Sequence, residues 1–338
     1  MEQALSFDDV LLIPQYSEIA SRSEIDTHQA LVNVGDFSLP IISSPMDTIT
    51  ESSMAISMHE EGGLGIIHRY NSVEEQADLV YDASMEGMYN VGAAKGISEG
   101  FIDRACAVYD AGARILCIDV AHGHHVRVRY ALNVLRQTFG SSVHLMAGNI
   151  ATLAGFDALA DWGADSIRVG IGGGSICSTR LQTGHGIPTF QSILDCSRSA
   201  KNVSLIADGG IRTSGDIVKA LAAGADFVML GSLLAGTSET PGEILHTKGG
   251  KKKVYRGMAS KEAQTAWRGS VSSIEGVSHV VSYTGPVEDI LSELAIGIRS
   301  GLSYAGARNM PEFQAKSQFL RQTNAGQVES LTHILRKE

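Results

Sequence analysis

The sequence predicts an α/β protein, a (β/α)8 TIM barrel, from three observations. Eight short apolar runs rich in β-branched residues recur at 39–44, 64–68, 90–94, 114–120, 143–147, 166–171, 204–207 and 227–230, separated by segments long enough for a helix. The runs are continuous rather than alternating, as expected of parallel strands covered on both faces. Three of them follow the same punctuation: Gly112-Ala113-Arg114, Gly163-Ala164-Asp165 and Gly224-Ala225-Asp226. A glycine there can take the left-handed conformation that ends a helix, and the strand begins at once. Helix, glycine stop and buried strand, repeated eight times, is the pattern of a barrel.

A doubly wound dinucleotide sheet is the competing architecture. It calls for Gly-x-Gly-x-x-Gly between a strand and a helix, and Gly170-Ile171-Gly172-Gly173-Gly174-Ser175 comes nearest but fails at the third position. The 338 residues are read as one barrel domain, 1–338, because such barrels run to about 250 residues or more with insertions. The strands are expected to end by residue 236. That leaves 237–286 as a flap region after the eighth strand and 287–338 as a C-terminal segment. The glycine-, lysine- and serine-rich stretches 247–253 and 270–273 suit a flap over the barrel mouth.

Composition narrows the function. The chain is 43% hydrophobic and 19% charged, with 37 glycines against 7 prolines, which describes a packed globular protein. A net charge of −10 argues against nucleic-acid binding and against an anionic membrane surface. The one basic cluster, Lys251-Lys252-Lys253, reads as a solvated loop. No apolar run approaches the roughly 18 residues of a membrane helix, and the N-terminus lacks a basic region followed by an apolar stretch, so a cytoplasmic location is expected. The four cysteines, at 106, 117, 177 and 196, are too scattered for a disulfide framework or a zinc site, so any that matters acts as a thiol.

Barrel chemistry lies at the C-terminal ends of the strands. The loop Gly170–Arg180 has clustered glycines that let backbone groups converge on a phosphate or a desolvated monovalent cation. Cys177 follows, near the start of the next helix, where amide dipoles favour the thiolate. Asp208-Gly209-Gly210 and Gly231-Ser232 stand after strands seven and eight, where barrels bind phosphate through backbone amides. A carboxylate there can accept from ribose hydroxyls, so a nucleotide monophosphate fits; the plainer role for Asp208 is a helix N-cap. His122-x-His124 could open a metal-dependent hydrolase reading, but that needs further ligands, for which only His68 and Asp208 are candidates.

At this point the residues resemble the IMP dehydrogenase and GMP reductase family over essentially the whole chain. The motifs are Ser6-Phe-Asp-Asp-Val-Leu-Leu-Ile-Pro14, Ser44-Pro-Met-Asp-Thr48, Gly172-Gly-Gly-Ser-Ile-Cys-Ser-Thr-Arg180, Asp208-Gly-Gly-Ile-Arg212, Tyr255-Arg-Gly-Met258 and Arg299-Ser-Gly-Leu-Ser-Tyr304. The resemblance implies a usually tetrameric barrel enzyme whose cysteine attacks C2 of a purine nucleotide, GMP or IMP. A nicotinamide cofactor, NADPH or NAD, exchanges hydride at that carbon. It makes Cys177 the nucleophile and Thr179 its proton-handling neighbour, with a potassium ion on the carbonyls of Gly172, Gly174 and Cys177. Ser175, Asp208, Gly209, Gly210, Gly231, Ser232, Tyr255, Gly257 and Met258 would hold the nucleotide, with Ser44, Met46 and Arg168 nearby. Asp119, Ala121, His122 and Asn149 would face the nicotinamide, and Tyr304 would reach a neighbouring subunit's cofactor.

Two departures bear on the reaction. Dehydrogenases of the family usually carry CBS regulatory modules after the second strand, and here 71–89 runs straight on to the third. The family's dehydrogenases also hydrolyse their covalent intermediate with an Arg-Tyr pair in a long flap. No Arg-Tyr pair occurs between 237 and 290; the flap arginines, Arg256 and Arg268, are each followed by glycine. The short flap with Ser273-Ile274-Glu275-Gly276 resembles that of GMP reductases, where this Glu works with the Thr on the leaving ammonia, so Thr179 and Glu275 would be the general-acid pair. Against this, Asp119-Val-Ala-His-Gly-His124, Gly231-Ser-Leu-Leu234 and His68-Arg69 look more like a dehydrogenase. The expectation is a GMP reductase; the alternatives are an IMP dehydrogenase without CBS modules and a silent nucleotide-binding relative.

Overall fold

The computed structural model describes residues 3–272 and 274–330; Ser273 of the flap motif lies outside them. A short strand β1 (Val10–Leu12) precedes the hairpin β2 (Gln29–Leu31) and β3 (Gly35–Phe37). Then come β4 (Ile41–Ser43), α1 (Ser52–Glu60), β5 (Leu64–Ile67), α2 (Val73–Met85), β6 (Val91–Lys95), α3 (Phe101–Asp110), β7 (Ala113–Asp119), α4 (Val126–Phe139), β8 (His144–Ile150) and α5 (Leu153–Asp161). The second half continues with β9 (Ser166–Val169), α6 (Thr179–Thr183), α7 (Thr189–Cys196), β10 (Ser204–Asp208), α8 (Ser214–Ala222) and β11 (Phe227–Leu230). Strands β4 to β11 form a closed parallel barrel, with β11 pairing back to β4 through Leu230 and Ser43. Each of the eight strands falls on one of the eight apolar runs.

The glycine punctuation works as the sequence implies. Gly112, Gly163 and Gly224 all have positive φ, at 123°, 96° and 109°. The aspartate after two of them has a further task. Leu145 N donates to Asp165 Oδ2 at 2.7 Å while Asp165 N donates to Leu145 O at 2.8 Å. Asp226 repeats this with Leu205, at 2.7 and 2.9 Å. Each aspartate thus satisfies the amide and carbonyl of a neighbouring strand's residue and pins the register where the strands begin.

Inside the barrel, Ile42, Leu64, Ile66, Ala94, Ile115, Cys117, Met146, Ile206, Phe227 and Met229 form one buried cluster. Leu31 and Phe37 of the β2–β3 hairpin join it, with Phe37 edge-on to Phe227 at 5.8 Å. The hairpin therefore plugs the end opposite the mouth.

The region after β11 departs from expectation. Strands do not end at 236: β12 (Leu245–Thr247), β13 (Gly250–Arg256) and β14 (Ser278–Ser282) make a three-stranded antiparallel flap sheet around α9 (Lys261–Arg268). The Lys251-Lys252-Lys253 cluster lies in β13, not in a solvated loop. Lys253 is 1% exposed and donates to the Thr240 carbonyl, because strand pairing turns alternate side chains inward. Next, α10 (Val287–Tyr304) packs against α8 and α1 and so completes the helical ring. Finally α11 (Met310–Lys316), β15 (Phe319–Arg321) and α12 (Asn324–Glu329) follow, and β15 pairs with β1, joining the two ends of the chain. Among the described residues no helix is long and apolar enough to cross a membrane.

One core residue works against the fold. Lys95, at the end of β6, is 1% exposed; its ammonium lies 4.5 Å from the Phe101 ring centroid and has no hydrogen-bond partner among the described residues. Burial pushes its pKa down to about 7. The unfolded chain, with a lysine at about 10.4, therefore binds the extra proton between those values, and stability rises with pH across that window. Lys95→Met is expected to stabilise the protein by about 1–3 kcal/mol at pH 7 and below, where the buried charge is unpaired. Its advantage should shrink as pH rises towards 10, as denaturation of both proteins across pH would reveal; a pH-independent difference would contradict the assignment.

Candidate active site

The loops after the barrel strands and the docked flap enclose a cavity of about 400 Å³. Its lining brings together Cys177, Thr179 and Glu275, the glycines at 172, 174, 209, 210 and 231, and Ser44, Met46, Ser175, Ser232, Tyr255, Gly257 and Met258. Asp119, Ala121, Asn149, Arg168 and Asp208 also line it. Two sequence candidates do not. His122 is exposed on the β7–α4 loop outside the lining. Tyr304 ends α10, 65% exposed and away from this chain's cavity.

At the centre is a relay of three side chains. The Cys177 thiol donates to Thr179 Oγ1 at 3.1 Å, and the Thr179 hydroxyl donates to Glu275 Oε2 at 2.8 Å. Glu275 comes from the flap and is delivered by backbone pairing. Ser178 N donates to Glu275 O at 2.8 Å, Val277 N to Ile176 O at 3.0 Å, and Cys177 bridges Gly276 in antiparallel fashion. On its other side Glu275 N donates to Ala259 O at 3.1 Å. The cysteine loop and the flap's return segment thus form a miniature ribbon that fixes the carboxylate against the hydroxyl. Cys177 precedes Ser178, the N-cap of the short helix α6.

The glycines permit close packing here. A Cβ on Gly173 would lie 2.3 Å from Thr189 Oγ1, and one on Gly231 would lie 2.9 Å from the Tyr255 hydroxyl. A side chain at 231 would crowd the Tyr255 hydroxyl where the strand-eight loop meets the flap over the cavity. The N-terminal segment buttresses the strand-seven loop: Arg212 pairs with Asp8 at 2.5 Å, and Lys219 Nζ donates to Phe7 O at 2.9 Å.

Under the cavity lies an ionic network. Arg168, buried at the end of β9, donates to Asp119 Oδ1 at 2.7 Å and to Asp208 Oδ2 at 2.8 and 3.2 Å. Arg69 approaches Asp119 Oδ2 at 3.3 Å, and Asn149 Nδ2 donates to Asp208 Oδ2 at 2.7 Å. Burial by itself would raise the Asp119 carboxyl, but the Arg168 and Arg69 guanidinium groups outweigh it and hold it below the ordinary carboxylate range. Asp208 does not cap a helix: α8 is capped by Thr213, whose side chain accepts from Asp216 N. The metal-hydrolase reading has no support, since the described residues contain no group of three or more His, Cys, Asp or Glu able to hold a metal ion.

Sequence reasoning left Arg69, Tyr70, Gln264 and Arg268 without a role, and all four line the cavity. Arg69 and Tyr70 directly follow a predicted strand, which was a positional signal. Gln264 and Arg268 had none, because only flap docking brings them there.

The chain is similar to known proteins over nearly its whole length. The family model described as IMP dehydrogenase / GMP reductase domain matches residues 4–333. An inosine-5'-monophosphate dehydrogenase from Nitrosopumilus maritimus is 33% identical over 98% of this chain and 98% of its own. A GMP reductase from Leishmania major is 32% identical over 100% of this chain and 98% of its own. Those alignments extend over 469 and 484 positions, so both relatives carry residues with no counterpart in these 338. A crystal structure of a cysteine-to-alanine variant of Trypanosoma brucei GMP reductase, in complex with guanosine 5'-monophosphate, superposes with a TM-score of 0.93 at 32% identity, covering 98% of each chain. The chain belongs to the IMP dehydrogenase / GMP reductase family of purine-nucleotide oxidoreductases.

The network makes a prediction about stability. Arg168→Met leaves the Asp119 and Asp208 carboxylates without their shared cation and is expected to cost about 3–5 kcal/mol in denaturant unfolding. Arg212→Met, which removes the more exposed pair to Asp8, should cost no more than about 1 kcal/mol. Equal losses would contradict the central placement of Arg168.

Proposed function

We propose that this member of the family is a GMP reductase, converting GMP to IMP and ammonia with NADPH through a covalent bond between Cys177 and C2 of the purine. The observation that carries the reading is the relay Cys177 Sγ, Thr179 Oγ1 and Glu275 Oε2, at 3.1 and 2.8 Å. In the reductive reaction the leaving group is an amine, which departs readily only when protonated. With the thiol donating to the Thr179 hydroxyl and the hydroxyl to Glu275, the proton released as Cys177 attacks can pass to the carboxylate and be returned from it to the leaving amine.

The nucleotide would lie with its phosphate at Ser175, Gly210, Gly231 and Ser232 and its ribose at Asp208, whose carboxylate is held in place by Arg168 and Asn149. Asp119, Ala121 and Asn149 line the side suited to the nicotinamide, where the low-lying Asp119 carboxyl is an ionised acceptor for ribose hydroxyls. NADPH, when bound, supplies the hydride. A potassium ion, when bound, would be held by the backbone carbonyls of Gly172, Gly174 and Cys177 in the glycine loop, which packs so closely that a Cβ on Gly172 would lie 2.6 Å from Arg180 Cγ. With homotetrameric assembly, the exposed Tyr304 would face a neighbouring subunit.

Cys177 sulfur attacks C2, and the bond from C2 to the exocyclic amine breaks as Thr179 and Glu275 deliver the proton that lets ammonia leave. Hydride arrival at C2 and release of the thiolate then replace the carbon–sulfur bond with a carbon–hydrogen bond. The carbon gains two electrons and the cofactor loses two. Dividing the displacement this way replaces one difficult step with two easier ones.

Purified protein given GMP and NADPH is expected to consume the reduced cofactor and release ammonia. Silence there, with NADH formed from IMP and NAD, would reverse the assignment. Cys177→Ala should abolish turnover. Glu275→Gln should slow GMP reduction by about 10²–10⁴-fold while nucleotide binding, measured by calorimetry, changes little.

A further inference from the structure

Helix α9 does not hang over the cavity unsupported. Its Trp267 stacks on Tyr70, which follows β5, with ring centroids 4.2 Å apart and planes 14° from parallel. The Arg69 guanidinium lies 5.3 Å from the Tyr70 centroid and 5.6 Å from that of Trp267, and Arg268 lies 4.6 Å from Trp267. Stacking of this geometry, edged by cations, is a directional contact.

The barrel half of the stack is held by a set of hydrogen bonds. Arg104 on α3 donates to Asn71 O at 2.8 Å, to Ser72 O at 3.2 Å and to Gln76 Oε1 at 2.8 Å. Gln76, fully buried, donates in turn to His68 O at 2.8 Å and Ala94 O at 2.7 Å. Tyr70 N donates to His68 Nδ1 at 3.1 Å. The segment carrying Tyr70 is thereby tied to β5, β6 and α3. From Trp267 the flap runs back to Glu275: Gln264, buried on α9, accepts from Ser272 N at 3.1 Å and donates to Ala259 O at 3.1 Å, the carbonyl that also receives Glu275 N.

We propose that Tyr70 and Trp267 are positioning residues: their stack latches α9 to the barrel and so holds Glu275 against Thr179. This deepens the reading of the site in which Glu275 handles the proton, and it assigns a role to residues that touch no reacting atom. The nucleotide contacts on the barrel do not depend on the latch, so its loss lowers kcat far more than it raises KM for the nucleotide.

The sequence has two tryptophans, Trp162 and Trp267. In a Trp162→Phe background, emission reports Trp267 alone. Tyr70→Ala is expected to shift that emission to the red, to reduce kcat by about tenfold or more, a misplacement effect, and to leave nucleotide KM within about threefold. Tyr70→Phe, which keeps the stack, should retain both the emission and kcat. Trp267→Ala gives a second route should Tyr70→Ala fold poorly, and should lower kcat alike. Turnover is compared with the parent in GMP reduction, the reaction in which Glu275 handles the proton, while the emission readout tests the stack whichever reaction the parent catalyses. The emission readout stands even without turnover. Unchanged emission in folded Tyr70→Ala, or unchanged kcat, overturns the proposal.

Discussion

A single hydroxyl, that of Thr179, joins a thiol and a carboxylate that reach it from different parts of the chain, and the rest of the site is arranged around that meeting. Cys177 arrives on the glycine-rich loop after β9, Glu275 on the return segment of the flap, and they are 98 residues apart in sequence. Contacts so distant must offset the entropy of ordering the chain between them. The protein does this with backbone pairing rather than with side chains alone. The ribbon of 176–178 against 275–277 fixes the carboxylate with the precision of a strand, and the flap sheet and α9 hold the ribbon in place.

Charge imposes the second constraint. The cavity floor collects Asp119, Asp208, Arg69 and Arg168 in a setting where an unpaired ion would be costly. Arg168 resolves this by bridging both aspartates, so the carboxylate facing the expected ribose and the one facing the expected nicotinamide share one cation. That arrangement orients both acids and holds the Asp119 carboxyl below the ordinary carboxylate range. It also couples the two halves of the cavity through a side chain that is 93% buried by its 7% exposure. Lys95, by contrast, is buried without such a partner, and its depressed pKa is the consequence.

The barrel was legible in the sequence because its signals are local. Continuous apolar runs mark strands buried on both faces, and Gly112, Gly163 and Gly224 mark the helix ends that the positive φ angles require. The cavity's glycines and Cys177 were legible by position, since barrel chemistry sits at strand ends. The flap sheet was not: β12 is exposed along its length and β13 opens with Gly250 and three lysines, so neither carries a buried-strand pattern. Arg168 offered a signal, a charged residue within an apolar run, but not its two partners. Glu275 was reached through resemblance to a family, and Tyr70 with Trp267 not at all, since only the docked flap brings them together. His122 was assigned to the nicotinamide from a motif match and lies outside the cavity lining, while Tyr304, assigned to a neighbouring subunit's cofactor, is exposed and away from its own chain's cavity.

The central claim is that proton delivery through Thr179 and Glu275 serves loss of ammonia from a purine bound to Cys177, with hydride then arriving at the same carbon. The most direct measurement is turnover of GMP with NADPH carrying deuterium at the transferable position of the nicotinamide. The account predicts IMP with deuterium at C2 and one ammonium released per nucleotide. Absence of labelled IMP, together with XMP formed from IMP and NAD, would contradict it.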